Sequence, residues 1–178
     1  MEKKTVRWGV LGCSGIGKSR TIPGLLACEN AELYALAGRN EEKLKVYAEP
    51  FAPKKLYTDY QALLDDENVD AVYLPLPNGI HMEWVKKAAA AGKHILCEKP
   101  MALTEEQVRE MFAAAKEHGV LLEEAYAYRH AQLCADELRG LGENARAARR
   151  DDQIAHRADG RVGRQTARRV RTAAFRAD

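Results

Sequence analysis

Three glycines fall within six residues at Gly12-Cys13-Ser14-Gly15-Ile16-Gly17, directly after the mostly apolar run Val6–Leu11. No other stretch constrains the fold of this chain as much. A buried strand that ends in such a turn and continues into helix-forming sequence turns backbone amides and a helix N-terminus toward an anion. Two phosphate-binding patterns fit. With Lys18 and Ser19, residues 12–19 match the triphosphate loop GxxxxGK[ST], in which the lysine reaches the terminal phosphates and the serine ligates Mg²⁺. The same residues approximate the dinucleotide fingerprint GxGxxG, with Gly12 first, Ser14 in place of the second glycine and Gly17 third.

The surroundings favour the dinucleotide. Pro23 lies four residues after Ser19, where a regular helix would lose a backbone bond and crowd a carbonyl at a cost of about 3 kcal/mol. A Mg²⁺-dependent hydrolase also wants an aspartate at the end of a buried strand. The strand expected over residues 71–74 ends in Leu74-Pro75 and carries Asp70 at its other end. A P-loop nucleotide-binding protein stays open as the alternative, and a tight turn with no ligand leaves the concentration of glycine unexplained.

The rest of the first 130 residues alternates short apolar runs with amphipathic ones. The periodicity predicts a helix from the glycine turn to about Cys28 with Ile22, Leu25 and Leu26 on one face, then a strand over 32–37. Asn40 caps the next helix, with Glu41 and Glu42 in its first turn and a stop near Pro50. A brief strand at 56–57, a short helix over 60–64 and a strand over 71–74 follow. Next come a helix over 79–91 closed by Gly92 and a strand over 94–97. Thr104 and Gln107 form a capping box for a helix to about His118, Gly119 closes it, and a sixth strand spans 120–123. This alternation predicts a doubly wound α/β fold with a mostly parallel sheet built from right-handed βαβ units. No internal repeat is present.

At 178 residues, 46% hydrophobic and 30% charged, the chain suffices for one compact domain and a fragment of a second. No apolar run nears the roughly 20 residues of a membrane helix, so a cytoplasmic protein with no membrane partner is expected. The four cysteines share no metal or disulfide spacing, no metal site is predicted, and Cys28 and Cys97 read as small buried thiols.

More specific sequence lies further along. Leu74-Pro75-Leu76-Pro77-Asn78-Gly79-Ile80-His81, then Glu83-Trp84, then Ala91-Gly92-Lys93-His94-Ile95-Leu96-Cys97-Glu98-Lys99-Pro100-Met101-Ala102-Leu103-Thr104 resembles the Gfo/Idh/MocA family of NAD(P)-dependent oxidoreductases. The EKP tripeptide in that setting carries most of the likeness. Residues 9–13, Ala37-Gly38-Arg39-Asn40 and residues 123–130 keep the family's order and spacing. The resemblance implies a Rossmann domain over residues 1–130 with strand order 3-2-1-4-5-6, binding NAD or NADP. It also implies hydride transfer at a hydroxyl or carbonyl carbon of a sugar, polyol or related small molecule. A non-catalytic dinucleotide sensor is a further alternative.

Candidate residues follow. Gly12, Cys13, Ser14, Gly15 and Ile16 would seat the pyrophosphate. Gly38-Arg39 replaces the acidic residue that meets NAD's ribose hydroxyls with a cation suited to a 2′-phosphate, which tilts the expectation toward NADP. Leu74, Pro75 and Asn78 stand at the switch point where the cofactor crosses, with His81 close behind. Lys99 follows the fifth strand, where its ammonium can hydrogen-bond a substrate oxygen and relay a proton. It is the one catalytic candidate as well as a cofactor contact. The resemblance implies Glu98 on the nicotinamide ribose or on Lys99, and Arg129 near the nicotinamide half.

After residue 130 the composition changes. Residues 1–130 carry 17 Lys plus Arg against 19 Asp plus Glu; residues 131–178 carry 11 against 7, and all 11 are Arg. Eleven more are Ala, and neither strand alternation nor a broad apolar face is visible. Family members continue into a second, sheet-containing domain, so residues 131–178 are expected to be a truncated, out-of-frame or disordered Arg/Ala-rich tail with at most one helix. The cofactor is then expected to bind without turnover, and no oligomer is inferred. A nucleic-acid-binding arm is disfavoured by the modest charge and the single aromatic, Phe175.

Overall fold

The computed structural model describes residues 5–126, so expectations for residues 127–178, Arg129 among them, lie outside the described residues. Six parallel strands form one sheet: β1 (Val6–Leu11), β2 (Ala31–Ala37), β3 (Lys55–Tyr57), β4 (Ala71–Leu74), β5 (His94–Cys97) and β6 (Leu122–Glu124). Their order, β3-β2-β1-β4-β5-β6, is the one the resemblance implies. Five α-helices join them: α1 (Ile22–Leu26), α2 (Glu41–Ala48), α3 (Tyr60–Leu64), α4 (His81–Ala90) and α5 (Glu105–Glu117). Among the described residues no helix is long and apolar enough to cross a membrane.

The central strands are apolar at nearly every position because both sheet faces are covered. Leu11, Ala35, Val72, Leu74 and Ile95 pack in one core with Leu63, Val85, Ala88 and Met111, which brings α3, α4 and α5 to that face. Val10, Leu36 and Tyr73 point the other way into a core with Ile22, Leu44 and Tyr47 from α1 and α2. Gly9 permits the close approach of α3, since a Cβ there would lie 2.6 Å from Leu63 Cδ2.

The helix ends follow the sequence signals with one variation. Asn40 Oδ1 accepts the Lys43 amide at 2.9 Å and Thr104 Oγ1 the Gln107 amide at 3.3 Å. Gln107, however, reaches past the cap and accepts from the Leu103 amide. The largest departure is the first helix. Residues Gly17–Thr21 form a wide turn, closed by the Ile22 amide on the Gly17 carbonyl, that runs without a break into α1, and Pro23 is taken up in the first turn of α1 directly after this widening. The expected face is correspondingly split, with Ile22 buried and Leu26 47% exposed. Cys97 is buried as expected, whereas Cys28 is exposed because α1 ends before it could be packed.

Candidate cofactor-binding site

The loops after β1, β2, β4 and β5 open at the same edge of the sheet, and the strand order reverses between β1 and β4. Open α/β sheets bind ligands in the crevice at such a reversal. Gly12 takes φ +109, a conformation that disfavours any side chain, and its amide donates to the Ala37 carbonyl at 2.8 Å. A Cβ on it would also press Leu76 at 3.0 Å, so this glycine brings the loop after β4 against the turn.

The three glycines divide the remaining work. Gly17 is a packing glycine: a Cβ would lie 2.7 Å from the Tyr47 hydroxyl and 3.0 Å from Ser14 Oγ. Gly15 faces open space, and Cys13 and Ile16 beside it are exposed. Ser14, the departure from the fingerprint, turns its hydroxyl inward to accept the Gly17 amide at 3.0 Å, while its carbonyl accepts from the Lys18 amide and the Tyr47 hydroxyl. A cradle with one face free of side chains fits a pyrophosphate. Burial pushes the Tyr47 hydroxyl up to about 12, so it remains a neutral donor.

At the end of β2, Gly38 packs against Cys13, whose Sγ would stand 3.0 Å from an added Cβ, and no carboxylate occupies this position. Arg39 is exposed; burial pushes the Tyr60 hydroxyl up and the positive charge of Arg39 acts against it. At β4, Leu74, Pro75 and Leu76 are buried and Asn78 is exposed in a tight turn over Asn78–Ile80.

The Glu98-Lys99 pair is held from below. The Glu98 amide donates to the Leu74 carbonyl at 3.2 Å, and its carboxylate accepts from the Tyr73 hydroxyl at 2.6 Å and from the Lys99 amide. Thr21 in turn donates to the Tyr73 oxygen at 3.1 Å. Burial first, then the bond to Glu98, pushes the Tyr73 hydroxyl well above the usual range. The Lys99 side chain is exposed and its ammonium makes no ion pair or hydrogen bond among the described residues.

His81 sits differently from the expectation of a cofactor contact. Its ring is fully buried. Nε2 lies 2.7 Å from the Leu76 carbonyl, and Nδ1 lies 3.1 Å and 3.2 Å from those of Met101 and Pro100. It fastens the loop after β4 to the loop carrying Lys99. Glu124 adds a second tie by accepting the Met101 amide at 2.8 Å.

Tyr47, Tyr73, Thr21 and Glu124 are contributors that motif reading missed. Only Tyr73 left a trace, as a hydroxyl-bearing ring in an otherwise aliphatic buried strand.

Fold and glycine turn together define an α/β domain of the dinucleotide-binding class. A model of the Gfo/Idh/MocA oxidoreductase family, described by its NAD-binding Rossmann fold, matches residues 6–126, and the chain belongs to that family. A D-xylose 1-dehydrogenase (NADP(+)) from Haloferax volcanii is 41% identical over 74% of this chain and 42% of its own length. A 1,5-anhydro-D-fructose reductase from Ensifer adhaerens is 37% identical over 92% of this chain and 44% of its own. The crystal structure of a 3-ketoreductase from Actinomadura kijaniata in complex with TDP-benzene and NADP superposes with a TM-score of 0.73 at 38% identity, covering 79% of this chain and 44% of that one. The chain thus spans somewhat less than half the length of these relatives.

Proposed function

We propose that residues 1–130 are the cofactor-binding domain of an NADP-preferring oxidoreductase acting on a hydroxyl or carbonyl carbon of a sugar or polyol. The observation that carries this reading is the single edge shared by the Gly12–Gly17 turn, the buried Leu74-Pro75-Leu76 segment and the braced Glu98-Lys99 pair. The family, the NADP named for two of the relatives and the carboxylate-free end of β2 support it. A cytoplasmic setting accords with this reading.

Bound in this crevice, the nicotinamide supplies or takes up the hydride; the rest falls to the chain. The turn amides and the open Gly15 face would hold the pyrophosphate, and exposed Asn78 would line the crossing with buried Leu74 and Pro75 behind it. Lys99 Nζ donates to the substrate oxygen and moves the proton which that oxygen gains on reduction or gives up on oxidation. Tyr73 and Glu98 fix the backbone from which Lys99 extends, and His81 sets its loop.

Fluorescence titration of the chain with NADPH, NADH and Mg-ATP tests the proposal. NADPH is expected to bind tightest, and Lys99→Ala to leave its Kd within about threefold, since the ammonium acts on substrate. Preferential binding of Mg-ATP, lost on Lys18→Ala, would overturn it in favour of the P-loop reading.

A further inference from the structure

Beneath the wide turn over Gly17–Thr21 lies the fully buried ring of Tyr73, in the central strand β4. We propose that Tyr73 is a positioning residue for the reaction: its hydroxyl couples the glycine turn to the loop of Lys99, so that a pyrophosphate seated in the turn steadies Lys99 for the substrate. The inference rests on the dinucleotide reading above and deepens it.

Chemistry fixes the direction of the hydrogen-bond chain. An ionised carboxylate only accepts, and a phenol has one proton to give. Tyr73 gives that proton to Glu98 Oε1 at 2.6 Å, so its oxygen takes the Thr21 hydroxyl proton at 3.1 Å. Glu98 Oε2 accepts the Lys99 amide at 3.2 Å. Thr21, Tyr73 and Glu98 thus lead without a gap from the end of the turn to the backbone of Lys99. The bond between Tyr73 and Glu98 is short and charge-assisted, and shielding from water strengthens it further. Burial first, then the bond to Glu98, pushes the Tyr73 hydroxyl above its usual range, so the proton stays on the phenol oxygen.

The turn is built to pass on a displacement. Its front is pinned, with Ser14 Oγ accepting the Gly17 amide and the Ser14 carbonyl accepting from the Lys18 amide and the Tyr47 hydroxyl. Its floor is the Tyr73 ring, since a Cβ on Gly17 would stand 3.4 Å from Tyr73 Cε1. Its far end is half-buried Thr21, whose hydroxyl rests on Tyr73. Widened helical turns recur at functional sites because they depart from the straight helical ladder. An anion held at the exposed Gly15 face therefore loads a unit that runs from Ser14 to Thr21 and touches Tyr73 at both Gly17 and Thr21. By contrast, the His81 and Glu124 bonds tie the Lys99 loop to the loop after β4 and to β6. Those bonds do not involve the turn, whereas the Tyr73 path starts in it.

The test is hydrogen–deuterium exchange of the full chain with and without saturating ADP, which carries an adenosine and a diphosphate but no nicotinamide half. In the unaltered chain ADP is expected to slow exchange of the amides of residues 99–103 at least about fivefold, the lower end of coupling between sites. Tyr73→Phe and Thr21→Val should each abolish that slowing while the Kd for ADP stays within about threefold, and Thr21→Ser, which keeps the hydroxyl, should retain it. A purely structural role would speed exchange of these residues by the same factor with and without ADP, so that the slowing survives in either variant; that result would overturn the proposal. If Tyr73→Phe does not fold, Thr21→Val at the half-buried end of the chain decides alone. ADP bound to the unaltered chain without slowing at residues 99–103 would overturn the coupling and leave the dinucleotide reading intact. Failure of ADP, NADPH and NADH to bind the unaltered chain would overturn both.

Discussion

Replacing His81 tests whether the loop bearing Lys99 is held by hydrogen bonds or only by shape. The ring is fully buried between carbonyls of two loops, at 2.7 Å on one side and at 3.1 Å and 3.2 Å on the other. Each ring N–H can donate to the carbonyls on its own side. His81→Phe keeps a ring in place and removes that donor, leaving at least one buried carbonyl without its partner at a cost of about 1–3 kcal/mol. His81→Ala adds the cavity of the missing ring, for about 3–5 kcal/mol in total. At roughly 4 °C per kcal/mol for a domain of this size, the Phe variant should melt about 4–12 °C lower and the Ala variant lower still.

Thermal unfolding followed by circular dichroism reads those shifts. Titration of the surviving Phe variant adds what stability alone cannot show. NADPH, which must reach the Lys99 loop, should bind more weakly, while 2′,5′-ADP, which ends at the adenosine half, should bind as before. A Phe variant that melts within a degree of the unaltered chain would refute the hydrogen-bond argument. Equal weakening of both ligands would refute the local one.

The remaining predictions concern the turn, the candidate lysine and acid stability. Gly15→Ala meets nothing within 4 Å, so its melting temperature should hold while NADPH affinity falls. Gly17→Ala meets the Tyr47 hydroxyl at 2.7 Å and should lose about 1–3 kcal/mol of stability in a urea melt as well. Lys99→Met should shift stability by no more than about 0.5 kcal/mol, because its ammonium touches nothing among the described residues. Burial favours the protonated form of Asp66, but bonds from Lys55, Tyr57 and Asn68 outweigh it and hold the carboxyl well below its usual range. A lowered folded-state pKa gives stability that is present above the unfolded value near 4 and lost as pH falls below it. Melting temperatures taken from pH 7 to pH 2.5 should therefore fall more steeply for the unaltered chain than for Asp66→Asn.

The parts of this molecule that sequence reading anticipated are those where one local rule decides. Apolar runs bounded by turn residues located the central strands, since strands buried on both faces admit few polar side chains, whereas the short, exposed β3 and β6 followed from the alternation of the pattern; Asn40, Thr104, Gly92 and Gly119 marked helix ends because caps and positive-φ stops are satisfied within a few residues. Pro23 signalled that the first helix could not run straight, but whether the chain would kink, widen or restart depended on the Tyr47 and Tyr73 hydroxyls, which arrive from other strands and helices. The same limit governs the site. Gly12 and Lys99 carry their signal in their own neighbourhood, whereas the Thr21–Tyr73–Glu98 chain joins residues up to 52 positions apart and the His81 tie joins residues 20 apart. The motifs thus mark the surfaces a ligand would touch. The positioning groups beneath them become visible only through three-dimensional contact, which is why His81 looked like a ligand contact by sequence position and is found as a brace in the fold.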